Sequence, residues 1–309
     1  MKDFSIIADT TCDLSEEFQK KYDIKLVQGH LVFPGGKEIP AFVKWEEMGR
    51  EEFYDMLQAN PNDFTTAPPN AAEFQAAVEE ELALGKDVLL MTISGGISGT
   101  ISSAVRAAEL AKEKYPDAVI KCIDTRRFGP GFGLMAVYAS VLRSQGKSLE
   151  ETAEYLETNK NRFHQAGWLD DLSFVAKKGR ITHPKAFFGT LAGIKPLGEF
   201  DSNGLTTVIG KVKGAQTAYR VLLNYMEKTI ENPEDQIIFI AHTNRLPQAE
   251  KYKALIEEKF HPKAIFINDV FPACGINIGP GLMAAYYVGT EISEDLSVEK
   301  NIISNSVQG

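Results

Sequence analysis

One stretch constrains this fold more than any other. Asp87-Val88-Leu89-Leu90-Met91-Thr92-Ile93 is a short apolar run rich in strand formers, and it leads directly into Ser94-Gly95-Gly96-Ile97-Ser98-Gly99-Thr100. The first half reads as a strand buried on both faces, as in a parallel sheet. The second half is a turn of small residues. A helical pattern opens at Thr100 and carries Ala104, Val105, Ala108 and Leu110 inward. Strand, Gly/Ser turn and helix in that order can bind an anion. The helix's free N–H groups point back at the turn, and glycine lets a ligand approach the backbone. The same residues also make an ordinary βα loop, so both readings stand on this stretch alone. Its place adds to the first, because ligands in open α/β sheets sit beyond the carboxyl ends of the strands.

The surrounding chain repeats this grammar. Phe4 to Ala8 is a strand, and Asp9 sits at its carboxyl end. Asp13 can cap the next helix, with Glu16 three residues on as a capping box, although simple turn chemistry fits Thr11 and Asp13 better. Lys25 to Phe33 reads as a strand, and Trp45 to Leu57 as an acidic amphipathic helix on the surface. Thr65 and Thr66 precede Pro68-Pro69, which hold the segment extended, and Asn70 caps the helix that follows. They are two hydroxyls near a helix start, or simply turn residues. Ala118 to Ile123 is a strand ending at Asp124-Thr125-Arg126-Arg127. The arginine pair is a solvated surface pair or a head-group site. Helices over Phe128 to Gln145 and Leu149 to Asn161 complete a doubly wound, mostly parallel sheet.

Near residue 160 the pattern changes. Val175-Ala176-Lys177-Lys178-Gly179-Arg180-Ile181 precedes a short helix over Pro184 to Leu191. An Asn203-Gly204 hairpin turn follows, then strand–helix segments ending in Cys274-Gly275-Ile276-Asn277-Ile278-Gly279-Pro280-Gly281. The fold class is therefore α/β in two domains, the first doubly wound and mostly parallel, the second mixed. The boundaries are 1–160 and 161–292, with a peripheral polar tail over 293–309.

Chemistry is narrowed mainly by what is missing. No Walker loop, HExxH or GxSxG appears, and no GxGxxG follows a strand in register. The five histidines are isolated, so no metal site is expected; His242, at a strand end, is the one of interest. A net charge of −9 argues against a nucleic-acid groove. Cys12, Cys122 and Cys274 are too scattered for a disulfide framework and fit a reducing, cytoplasmic setting. No stretch is apolar for long enough to span a bilayer, and no signal peptide is visible. Thr65-Thr66, the Ser94–Thr100 turn, Lys178-Gly179-Arg180 and Gly275–Gly281 all offer hydroxyls, amides or a cation. Together they could hold one anionic head group.

These blocks carry a resemblance. From Ile7-Ala8-Asp9-Thr10-Thr11-Cys12-Asp13-Leu14, through Thr65-Thr66-Ala67-Pro68, Ile93 to Thr100, Val175 to Ile181, Lys195-Pro196-Leu197 and Gly204 with Lys211, to Gly275–Gly281, the chain resembles the DegV family of bacterial fatty-acid-binding proteins. The resemblance implies a long-chain fatty acid as bound ligand, held in a buried tunnel with its carboxylate near the domain interface, and no other cofactor. It also implies a carrier without catalytic residues of its own. By the resemblance, a separate ATP-binding fatty acid kinase subunit is expected to phosphorylate the carboxylate, with the acyl-phosphate passing to phospholipid synthesis. Residue by residue, Thr65 matches the threonine that bonds the carboxylate, and Ser94-Gly95 the double-serine position. Thr66, Ser98, Asn277 and Gly279 join the ligand site. Arg180, with Lys178, faces the kinase or the transferred phosphate, and a cation suits a phosphoryl group. The chain departs from the pattern at Gly95, where many members have a second serine, and at Ile276 and Asn277, where many have threonine and histidine. Asn277 can donate a hydrogen bond but cannot carry charge. Arg126 or Arg127 could supply the missing positive charge. Two other readings follow: a DegV-like binder of a different amphiphile, and the substrate subunit of a dihydroxyacetone-type kinase. The second needs a histidine that none of the five matches.

Overall fold

A computed structural model describes residues 3–45, 48–183 and 193–308. It divides into two compact units: Met1–Lys44, Asn62–Lys160 and Phe271–Cys274 form the first, and Trp45–Pro61, Asn161–Val270 and Gly275–Gly309 the second. In chain order the strands of the first unit are β1 (Phe4–Asp9), β2 (Ile24–Val27), β3 (His30–Val32), β4 (Glu38–Pro40), β5 (Thr65–Ala67), β6 (Asp87–Thr92) and β7 (Ile120–Asp124). The helices up to residue 160 are α1 (Glu16–Tyr22), α2 (Arg50–Ala59), α3 (Ala71–Ala83), α4 (Thr100–Lys114), α5 (Gly129–Ser144) and α6 (Leu149–Asn159), of which α2 belongs to the second unit.

The main sheet of the first unit runs β2-β1-β6-β7, every pair parallel. Register aligns Ile7 with Leu90 and Leu90 with Cys122. Strand side chains alternate between faces, and this row packs on Phe74, Val78 and Leu82 of α3 and Ala104, Ala107, Ala108 and Ala111 of α4. The alanines let α4 lie close to the sheet. Val105, expected inward, is 42% exposed, because the alanine stripe turns it outward. Helices α5 and α6 pack on β1, β2, β6 and β7. The first nine residues of α5 are all buried.

Lys25 to Phe33 is two strands rather than one. The chain leaves the parallel sheet after Val27, and β3 joins an antiparallel sheet, β4-β3-β5. Gly29 marks the break, where a Cβ would lie 2.8 Å from the Ala67 carbonyl oxygen. The expected Asp13–Glu16 capping box does not form. Asp13 adopts a left-handed conformation (φ 52°) and accepts from Phe271 N–H at 3.0 Å, leaving Ser15 as N-cap. The helix expected over Trp45 to Leu57 starts at Arg50. It is no surface helix: Phe53, Tyr54 and Leu57 are buried, and Tyr54 Oη donates to the Val270 carbonyl.

The second unit holds β8 (Phe163–Leu169), β9 (Ile194–Phe200), β10 (Thr206–Lys213), β11 (Ile237–His242), β12 (Ala264–Asp269) and β13 (Leu282–Val288), with α7 (Ser173–Lys177), α8 (Ala215–Thr229), α9 (Leu246–Phe260) and α11 (Ser297–Gln308); α10 (Pro272–Ile278) is divided, its residues from Gly275 onward belonging to this unit. Its sheet runs β10-β9-β8-β13-β11-β12, antiparallel throughout except for β11 beside β12. Asp201 ties the Asn203-Gly204 hairpin by accepting from Asn203 N–H and Leu205 N–H. The 293–309 tail is not peripheral: α11 packs on α8 and β10 with Ile303 and Glu299 buried. Gly210 makes room for it, since a Cβ there would lie 2.4 Å from Ile303 Cγ2. The helix expected over Pro184 to Leu191 lies outside the described residues.

Candidate functional site

In the first unit the site forms where β1, β6 and β7 end side by side. Asp9 closes β1, fully buried. It accepts from Thr11 N–H at 2.9 Å, from the Thr11 hydroxyl, and from Ile93 N–H at 3.0 Å. Burial pushes its carboxyl pKa up, and the bonds from Thr11 and Ile93 oppose that. Asp9 thus fixes the start of the turn after β6.

That turn is a compact hydrogen-bonded loop. Ser94 is buried; its hydroxyl accepts from Gly96 N–H at 3.1 Å, and its carbonyl accepts from Ile97 and Ser98 N–H. The Ser98 hydroxyl lies 2.7 Å from the Thr100 hydroxyl at the start of α4. The loop after β7 folds against it, with Ser94 N–H donating to the Arg127 carbonyl at 2.9 Å. Asp124 completes the junction, accepting from Gly95 N–H at 3.0 Å and from Arg126 N–H at 2.9 Å through the same oxygen. Gly95 leaves room for this arrangement, since a Cβ would lie 2.7 Å from the other Asp124 oxygen and push that carboxylate aside.

The structure therefore brings Ser94, Gly95, Arg126 and Arg127 together. Arg126 is half-buried with φ 50°. Arg127 is no solvated surface residue: it is among the largest fully buried side chains, with Nη1 donating to the Arg126 carbonyl at 2.8 Å. Thr65 and Thr66 lie on β5, paired with Val32 and Leu31, and belong to the small sheet rather than to the Ser94 turn. A chain of contacts connects that sheet to the end of β1: the Thr10 hydroxyl accepts from Gly29 N–H, and Gly29 abuts the Ala67 carbonyl.

In the second unit two of the expected blocks meet. Gly279 (φ 77°) sits so close to Phe174 of α7 that a Cβ would lie 2.5 Å from the ring. Helix α7 ends at Lys178-Gly179-Arg180, where Arg180 donates to the Lys178 carbonyl. Burial and then the Arg180 charge lower the Lys178 pKa. Asn277 lies on α10. His242, closing β11, is buried; its Nδ1 accepts from Arg245 N–H at 3.3 Å, and its Nε2 lies 3.5 Å from Asp269. Burial lowers its pKa to about 4; Asp269 opposes this and Arg50 adds to it.

Sequence reasoning missed Asp124 as an acceptor, although its place at the end of β7 matches that of Asp9 at the end of β1. It also missed Arg245, which follows β11 by three residues. Among the described residues no group of three or more His, Cys, Asp or Glu is placed to hold a metal ion. No described helix is long and apolar enough to cross a membrane.

A parallel sheet whose strand ends carry a hydroxyl- and amide-rich turn, followed by a mixed sheet with a glycine turn before its last strand, defines a two-unit α/β chain. Residues 3–290 match the family described as "Uncharacterised protein, DegV family". The chain belongs to the DegV family. The DegV domain-containing protein CPE0026 of Clostridium perfringens is 33% identical over 289 residues, covering 94% of this chain and 98% of the relative. Among solved structures, a fatty-acid-binding DegV protein from Thermus thermophilus matches with TM-score 0.82 at 23% identity, covering 94% of this chain and all of that one. A stearic acid-binding protein from Eubacterium ventriosum matches with TM-score 0.80 at 21% identity, covering 93% and 98%. The Streptococcus pneumoniae Fatty Acid Kinase (Fak) B3 protein loaded with linoleic acid matches with TM-score 0.78 at 20% identity, covering 93% and 99%.

Proposed function

We propose that this chain is a lipid carrier that binds a long-chain fatty acid in a buried tunnel and presents its carboxylate to a partner ATP-binding kinase. The observation that carries the reading is the Ser94 turn, a buried hydroxyl and clustered amides at the carboxyl ends of three parallel strands, in a chain of the DegV family. The fatty acids named for the Eubacterium and Streptococcus proteins support the ligand class, and the kinase name of the latter supports the partner. The physics agrees. Each methylene withdrawn from water contributes roughly 0.8 kcal/mol, so a long acyl chain needs a protein carrier. In this reading Thr65, Thr66, Ser94, Gly95, Ser98, Asn277 and Gly279 serve the ligand. Arg126 and Arg127 supply charge near its head, and Lys178 and Arg180 face the phosphoryl group or the kinase. The cytoplasm is the compartment that fits such a partner.

Displacement of a fluorescent fatty acid tests the reading. Ser94→Ala and Thr65→Ala should each weaken binding about tenfold, the worth of one hydrogen bond to a charged group. Unchanged affinity in both would place the carboxylate elsewhere. With kinase and ATP supplied, Arg180→Glu should stop acyl-phosphate formation while binding persists; full activity would remove Arg180 from that role.

A second reading, a different amphiphile, is favoured by Asp124. Its carboxylate already accepts from Gly95 N–H, so a neutral or hydrogen-donating head group meets less repulsion there than a carboxylate does. Identifying the material that co-purifies with the chain separates the two readings.

A further inference from the structure

One cluster in the second unit has no part in that account. It lies at the end of the six-stranded sheet where β8 and β11 finish and β9 begins. Asp170 accepts from Lys195 Nζ and Trp168 Nε1 on one oxygen and from Arg245 Nε on the other, at 2.9 Å for Arg245. The Asp170 backbone is held as well, its N–H donating to the Gly281 carbonyl at 3.1 Å. The Lys195 ammonium lies over the Trp168 ring, 5.9 Å from its centre. The two cations are thus fixed on either side of one carboxylate.

Their donors are not exhausted. Lys195 spends one of three N–H groups on Asp170. Arg245 spends Nε on Asp170 and Nη1 on the Asn244 carbonyl, and its Nη2 has no hydrogen-bond partner among the described residues. Both side chains reach solvent, at 19% and 32% exposure. Two positive charges face one negative charge. Nearby acids do not cancel the excess: Asp269 pairs with Arg50 at 2.6 Å, and the Asp171 carboxylate turns to Ser173.

We propose that Lys195 and Arg245 bind a phosphoryl dianion at this end of the sheet, with Asp170 holding the two cations apart for it. Arg245 offers a planar guanidinium edge and Lys195 a point charge, a pairing suited to a tetrahedral oxyanion. The phosphoryl group is either free phosphate or the head of a phosphorylated lipid. Only the second source rests on the carrier reading.

The test is calorimetric titration of the full chain with inorganic phosphate and, separately, dodecyl phosphate, with palmitate as a third ligand. The expected result is binding of at least one phosphoryl ligand, weakened about tenfold by R245Q and by K195Q. Binding of inorganic phosphate assigns the site to free phosphate; binding of dodecyl phosphate alone assigns it to a lipid head. Failure of both phosphoryl ligands, or unchanged affinity in R245Q and K195Q with the fold intact by circular dichroism, overturns the proposal. Palmitate reads the carrier function separately, and its failure leaves the inorganic phosphate result standing.

Discussion

At Asp124 one carboxylate oxygen accepts from two backbone N–H groups, at 3.0 and 2.9 Å, and this joins the turns after β6 and β7. Asp124→Asn keeps the acceptor and removes the charge. A fatty acid carboxylate at the Ser94 turn should then bind roughly fivefold tighter, about 1 kcal/mol for one half-screened like-charge contact; unchanged affinity in a fluorescence titration would put the head group away from Gly95. Gly279→Ala adds a methyl at φ 77° against Phe174 and should cost about 1–3 kcal/mol in urea unfolding; a cost near zero would mean that Phe174 moves freely. His242 sets a pH dependence. Its folded pKa, about 4, lies below the ordinary value of 6.5. The unfolded chain therefore binds more protons between these values, and stability falls as pH drops from 6.5 toward 4. The loss is up to about 3 kcal/mol. His242→Gln should flatten that slope in urea midpoints taken across the window, and an unaltered slope would assign it to other groups.

Elements show where local pattern sufficed and where it did not. Helix α3 is written in the chain as Asn70 and Glu73: Asn70 Oδ1 accepts from Ala72 and Glu73 N–H, and Glu73 reaches back to Asn70 N–H. Asn70→Ala should cost about 1 kcal/mol in thermal melts, and no change would mean that solvent replaces the cap. The strand β6, its turn and α4 were equally legible, because apolar strand, small turn and helix follow one another without interruption. Helix α2 was not. Its acidic residues read as a solvated face, yet Phe53 and Tyr54 are buried by residues far away in the chain, including Val270 and Gly275. The break at Gly29 was also hidden, since only the approach of the Ala67 carbonyl reveals why a glycine stands there. Val105 failed for a simpler reason: helical spacing cannot tell which of two overlapping stripes, alanine or valine, faces the sheet.

Across the molecule, the fold class was legible because strand–helix alternation stops near residue 160, where the parallel sheet ends and a mixed one begins. The membership of Trp45–Pro61 in the second unit was not, since no local signal records a long-range partner. The candidate site divides in the same way. Ser94 and Gly95 stood out by composition and by place, and the structure joins them to Arg126 and Arg127. Asp124, Asp170 and Arg245 read as ordinary charges until the strand ends came together. The central claim concerns the whole chain: it carries a long-chain fatty acid. Native mass spectrometry of the purified protein, followed by extraction and identification of the bound material, tests it most directly. The account predicts one long-chain fatty acid per chain. A protein that is empty, and that fails to bind palmitate or oleate added back, would contradict it.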